Sequence, residues 1–136
     1  MITAIDTNVL LDVFGADPKF GASSKEAIRS AIAQGGLVAC EAVWAEVAVF
    51  FPTAAAAREA MERLGVAFAP GSSDIALAAA DAWKAYRRSG GRRERVVADF
   101  LIGAHALTSA DRLLTRDRGF YRTYFERLTV LDPSAG

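Results

Sequence analysis

Three carboxylates in this chain sit where carboxylates are costly to keep. Asp6 lies in Ile5-Asp6-Thr7-Asn8-Val9-Leu10, Glu46 in Val43-Trp44-Ala45-Glu46-Val47-Ala48-Val49, and Asp99 in Val96-Val97-Ala98-Asp99-Phe100-Leu101-Ile102. Each is a lone acid in a segment otherwise fit for burial, and acids are seldom buried without a partner. A fourth, Asp117, closely follows the apolar pair Leu113-Leu114 and Thr115. Most other acids read as solvated; Glu59 and Glu62, for example, alternate with Arg58 and Arg63. Taken singly, each of the four has an ordinary explanation. Asp6 would cap a helix, Glu46 would lie on a narrow exposed stripe, Asp99 would pair with Arg95 at one-turn spacing, and Asp117 would pair with Arg116 or Arg118. Taken together they point to one shared site. Clustered carboxylates raise one another's pKa, and a divalent cation reverses that. Oxygen donors with no Cys or His among them favour Mg²⁺ or Mn²⁺ and make zinc a poor fit. Asn8 and Thr115 are placed to orient the carboxylates, although each would also serve as a cap. His105 comes six residues after Asp99, about 240° round a helix, so it faces elsewhere and reads as a packing or surface histidine.

The elements that must position these acids follow from periodicity and punctuation. Strands are expected at Ile2–Ile5, Leu37–Cys40, Val66–Phe68, Arg112–Thr115 and Leu128–Leu131. Helices are expected at about Asn8–Phe14, from a Ser24 cap to Gln34, Glu41–Phe51 before Pro52, from a Thr53 cap to Leu64, Ser73–Arg88, Val96–Leu107 and Phe120–Phe125. Strands alternating with one or two helices give an α/β fold, a parallel sheet with helices on both faces. All strands of a parallel sheet end on one edge. Asp6 after the first strand and Asp117 after the fourth therefore share that edge, and they meet if those strands are neighbours, as at a topological switch point. There is no internal repeat or linker; residues 1–132 read as one domain and 133–136 as a short tail.

The bulk composition narrows the class. At 136 residues and 52% apolar, the chain can bury a sizeable core without staples. Its single cysteine, Cys40, excludes an intrachain disulfide framework and fits a reducing compartment. No apolar run is long enough to span a membrane, and no signal peptide is evident, so a cytoplasmic location is expected. Formal charge is zero but unevenly spread: residues 1–83 carry five Lys/Arg against ten Asp/Glu, and residues 84–127 carry eleven against five. The basic half is mostly arginine, whose planar fork suits phosphate. Beside clustered acids, Arg92, Arg93, Arg95, Arg112, Arg116 and Arg118 look like a polyanion track flanking a metal site. Trp44, Phe50, Phe51 and Trp83 read mainly as core.

With these residues in view, the chain resembles the PIN-domain ribonucleases, and among them the VapC-type toxins of bacterial toxin–antitoxin pairs. Ile5-Asp6-Thr7-Asn8-Val9-Leu10-Leu11, Trp44-Ala45-Glu46-Val47, Ala98-Asp99-Phe100-Leu101-Ile102-Gly103-Ala104 and Leu113-Leu114-Thr115-Arg116-Asp117 with Phe120-Tyr121 are similar to the family's four acidic motifs, in order and over nearly the whole chain. Gly103 stands where alanine is commoner. The resemblance implies a three-layer α/β/α fold, PIN-like, with a five-stranded parallel sheet in the order 3-2-1-4-5. It also implies a Mg²⁺- or Mn²⁺-dependent endoribonuclease in which Asp6, Glu46, Asp99 and Asp117 hold the metal. Water would attack phosphorus to leave 5′-phosphate and 3′-hydroxyl ends. RNA would be the substrate, with a cognate antitoxin and a second copy of the chain as protein partners. Two other readings remain open from the residues. One is a PIN-like module that binds RNA or a partner without cutting. The other is a phosphatase-like domain with an Asp nucleophile, although Asn8 stands where that class has a second Asp and no lysine follows in the late strands.

Overall fold

The computed structural model describes residues 1–91 and 95–134. Its elements run β1 (Ile2–Ile5), α1 (Thr7–Phe14), α2 (Gly21–Ala33), β2 (Gly36–Ala39), α3 (Glu41–Val49), α4 (Ala54–Leu64), β3 (Val66–Phe68), α5 (Ser73–Arg88), α6 (Val97–Ser109), β4 (Arg112–Leu114), α7 (Arg118–Tyr124) and β5 (Val130–Leu131). The strands form one five-stranded sheet, ordered β3-β2-β1-β4-β5, with every neighbouring pair parallel. Helices cover both sides, giving the three-layer α/β/α arrangement expected. In β1, Ala4 pairs with Val38 of β2 on one side and with Leu113 of β4 on the other. The central position of β1 explains its near-continuous apolar character, since both its faces are covered.

Local chemistry sets the element ends. The Thr53 side chain accepts from Ala56 N–H to start α4, and Gly65, with φ of 88°, closes it in the left-handed conformation that suits glycine. Ser72, one residue before the expected opening, caps α5 through Ile75 N–H. Observed bounds differ from expectation by one or two residues at most other ends. The larger departure is α2. It begins at Gly21, not after a Ser24 cap, because Asp17 Oδ1 accepts from Lys19 and Phe20 N–H, each at 2.8 Å, and so turns the chain into the helix early. Ser24 is buried inside that helix instead.

The core is formed by β1, β2 and β4 with the inner faces of the helices; Ile5, Val9, Leu10, Val43, Phe100, Leu113 and Leu114 are fully buried. Rings of Trp83, Tyr86, Phe100, Phe120, Tyr121, Tyr124 and Phe125 interlock α5, α6 and α7, mostly edge to face. Gly103 lies against this group. A Cβ there would come within 2.5 Å of the Phe125 ring, which gives a physical reason for glycine at this position. Trp44, Phe51 and Trp83 are partly buried, as expected of core-associated rings, whereas Phe50 is 52% exposed. Among the described residues, no helix is long and apolar enough to cross a membrane.

Candidate active site

Asp6 is the first residue beyond β1 and the N-cap of α1. It is also 94% buried, so capping does not exhaust its role. Its Oδ1 accepts from Thr7 N–H at 2.8 Å, and its Oδ2 accepts from Thr115 Oγ1 at 2.7 Å and Asn8 Nδ2 at 3.3 Å. The buried Tyr121 lies close enough for its hydroxyl to favour the ionised carboxylate. Among the described residues, no Lys, Arg or His forms an ion pair with it. Burial therefore wins over these hydrogen bonds and pushes its pKa up to about 6, with the Asp99 charge adding to the rise.

The β4 side of the site is tied to the β1 side through Asn8 and Thr115. Asp6 N–H donates to Leu114 C=O at 3.0 Å, extending the strand pairing into the turn. Asn8 Oδ1 accepts from Arg116 N–H at 3.2 Å, and Thr115 Oγ1 accepts from Asp117 N–H at 3.0 Å. Two polar side chains thus fix both turns leaving the sheet edge.

The other acids approach from three elements. Asp99 stands in the first turn of α6 and accepts from Val96 N–H at 3.2 Å. Burial first raises its pKa; the nearby Arg95 lowers it and the Asp117 charge raises it. Asp117, at the entry to α7, is held by both guanidinium nitrogens of Arg95. The ordinary alternative for Asp99, a pair with Arg95 at one-turn spacing, is not what forms: Arg95 reaches Asp117 and stacks over the Phe120 ring at 4.3 Å. Glu46 is exposed and accepts from Thr7 Oγ1 at 2.7 Å, so one hydroxyl stands between it and the Asp6 cap. Tyr121 reports the convergence. Its hydroxyl pKa is driven well above the ordinary value, first by burial and then by the charges of Asp6, Asp99 and Asp117. The motif that names Tyr121 gave no hint that it would lie beside Asp6. The acids gather without closing: among the described residues, no three His, Cys, Asp or Glu side chains are arranged so that they could hold a metal ion.

The arginines separate. Arg116 forms a buried ion pair with Asp12, at 2.7 and 2.9 Å, and lies 4.0 Å from the Phe20 ring centre. Asp12 is 96% buried and also accepts from Ser24 Oγ at 2.8 Å. It is a fifth acid in an apolar segment, passed over in the sequence although Leu11-Asp12-Val13 carries the same signal as Asp6. Arg112 sits at the amino end of β4, away from the acids, where it bonds Thr3 Oγ1 at 3.0 Å and Gln34. Arg118 is near Asp132 at 3.6 Å. Of the four that fall among the described residues, Arg95 is the one whose guanidinium touches a site acid; Arg92 and Arg93 lie outside the described residues. His105 is buried in the core; among the described residues its Nε2 has no hydrogen-bond partner, and burial lowers its pKa.

A PIN-domain family profile matches residues 3–126. The chain belongs to the PIN-domain family. Solved structures with the same fold include VapBC2 from Rickettsia felis bound to a DNA fragment from its promoter, 16% identical over 97% of this chain and 98% of that one, with a TM-score of 0.75. VapBC-1 from nontypeable Haemophilus influenzae is 22% identical over 98% and 99%, with a TM-score of 0.74. A toxin–antitoxin complex from Klebsiella pneumoniae is 22% identical over 96% and 97%, with a TM-score of 0.68. No match was found among curated proteins. The observed sheet order is thus that of a PIN domain.

Proposed function

We propose that this PIN domain is a metal-dependent endoribonuclease, the toxin member of a VapC-type pair. The observation that carries the reading is Asp6, a buried carboxylate that forms no ion pair among the described residues, with Asp99 and Asp117 near enough for all three charges to act on one tyrosine hydroxyl. The donor set fits a hard divalent cation, since Asp6, Glu46, Asp99 and Asp117 offer carboxylate oxygen rather than sulfur or imidazole nitrogen. Asp6, Asp99 and Asp117 would hold Mg²⁺ or Mn²⁺, with Glu46 contributing at the α3 side. Such an ion supplies a water of lowered pKa and neutralises charge on the scissile phosphate. The chain's own groups do the rest. Asn8 and Thr115 fix the Asp6 carboxylate, Tyr121 lies beside it, and Arg95 offers a fork to a phosphate oxygen once RNA is present. Hydrolysis by water leaves 5′-phosphate and 3′-hydroxyl ends. A cognate antitoxin and a second copy of the chain complete the assembly in the cytoplasm.

One observation favours a second reading. Arg95 already neutralises Asp117, and the acids do not converge on one point, which would suit a PIN module that binds RNA without cutting it. The test is direct. Incubated with RNA, the protein should cleave in Mg²⁺ or Mn²⁺, stop in chelator and resume when metal is restored. Asp99→Asn should abolish the cut while leaving the thermal melt in place. Cleavage that survives chelation, or a folded Asp99→Asn protein that still cuts, defeats the nuclease assignment.

A further inference from the structure

A cavity of about 360 Å³ opens between the last turns of α5 and the start of α6, lined by Trp83, Arg87, Gly91, Arg95, Val96 and Val97 among others. That volume is in the range of small-ligand sites. Three features mark it. Its floor includes an indole: Trp83 is only partly buried, stacked on Phe100 within the core and with the Arg87 guanidinium 5.5 Å from its ring centre. It holds two arginines, and Arg87 forms no ion pair in any bridge of the described residues. Finally, its wall is continuous with the acids. Arg95 grips Asp117, and Val96 N–H is bonded to Asp99 at 3.2 Å. Val96 and Val97, 55% and 46% exposed, leave apolar side chains at the mouth.

An aromatic face, a guanidinium plane and apolar edges beside a phosphate-directed centre suit a flat, apolar ring attached to an anionic backbone. We infer that this cavity is a base-stacking subsite for single-stranded RNA, taking the nucleotide next to the phosphate held at the acids. The base stacks on Trp83 and Arg87, and Arg95 and Arg87 face the flanking phosphates. This rests on the nuclease reading and extends it to a residue, Trp83, which the sequence offers only as core.

The chain has two tryptophans, so Trp44→Phe leaves Trp83 as the single indole reporter. In chelator at low salt, a single-stranded RNA decamer should quench that emission, whereas inorganic polyphosphate should bind without quenching. Trp83→Leu should weaken RNA binding about tenfold, the loss of one stacked base. Arg87 is exposed, so Arg87→Ala keeps the core intact and should weaken binding about three- to fivefold. RNA that is cleaved in Mg²⁺ yet neither quenches Trp83 nor loses affinity in either variant overturns the subsite and leaves the nuclease standing; the cavity then belongs to a protein partner. Protein that neither binds nor cleaves RNA overturns both.

Discussion

Asp6 and Asp12 stand at opposite ends of one short helix, both buried, and the chain treats them in opposite ways. Asp12 meets a bidentate guanidinium from Arg116 and a hydroxyl from Ser24. Asp6 meets a hydroxyl, an amide and a backbone N–H, but no cation among the described residues. Burial is therefore not what distinguishes a site acid from a structural one, since both are buried to the same degree. The absent counter-charge is. Asp12 and Arg116 form a closed electrostatic unit that fixes the turn before Asp117. Asp6 is left open, and the protein supports an anion there that its own side chains do not neutralise.

Four experiments would break or sharpen this contrast. The largest effect is expected from Asp6→Asn, which should cut RNA cleavage by about 1,000-fold or more, roughly 4 kcal/mol in the barrier, while the protein stays folded. Cleavage that persists at a tenth of the original rate would remove Asp6 from the centre. The second concerns pH. The Asp6 carboxyl is raised to about 6 in the folded protein from an ordinary value of 3.8. The folded state holds that proton more tightly than the unfolded chain does. Stability is thus highest below the unfolded value and falls as pH climbs towards 6, by about 3 kcal/mol for this group. Urea midpoints in chelator should decline between pH 4 and 7 in the original protein, less so in Asp6→Asn, and Mg²⁺ should restore them. Equal pH slopes in the two proteins would show that Asp6 is neutralised after all.

The third is Asp12→Asn. It leaves Arg116 without its partner and should cost about 2–3 kcal/mol, below the usual figure for a fully buried pair because Arg116 keeps some access to water. The diagnostic is its sign relative to Asp6→Asn: the Asp12 change should lower the melting temperature at pH 7, and the Asp6 change should raise it or leave it level. Smallest is Thr115→Val, which removes one hydroxyl from Asp6 Oδ2 at a cost of about 1 kcal/mol at pH 7. It should move the stability decline to higher pH, followed by the same urea titration. A shift in the other direction would mean that Thr115 opposes the ionised form.

Much of this arrangement was legible in the residues. Alternating strand and helix signals gave all twelve elements, and the apolar settings of Asp6 and Asp99 marked them as exceptional. Asn8 and Thr115 followed from their places at two neighbouring strand ends. What local spacing could not show were partners distant along the chain. Arg116 neutralises Asp12 from the far side of the fold, so Asp12 offered no nearby cation to explain it and no companion to flag it. Arg95 had a plausible partner one turn away in Asp99, yet the turn after β4 brings Asp117 within reach of both its nitrogens. Ser24 resembled a cap because serine before a helical run usually is one; the Asp17 turn had already started the helix, and Ser24 became a donor to Asp12. Tyr121 read as one aromatic among many, since only tertiary packing brings its hydroxyl close to Asp6.

The contact between Gly103 and Phe125 has a consequence for how this chain can vary. The ring occupies the volume that a methyl group on α6 would need, so neither position is free to drift alone. Alanine at 103 demands a smaller or displaced side chain at 125, and a lineage that regains the alanine should be found to have given up the phenylalanine.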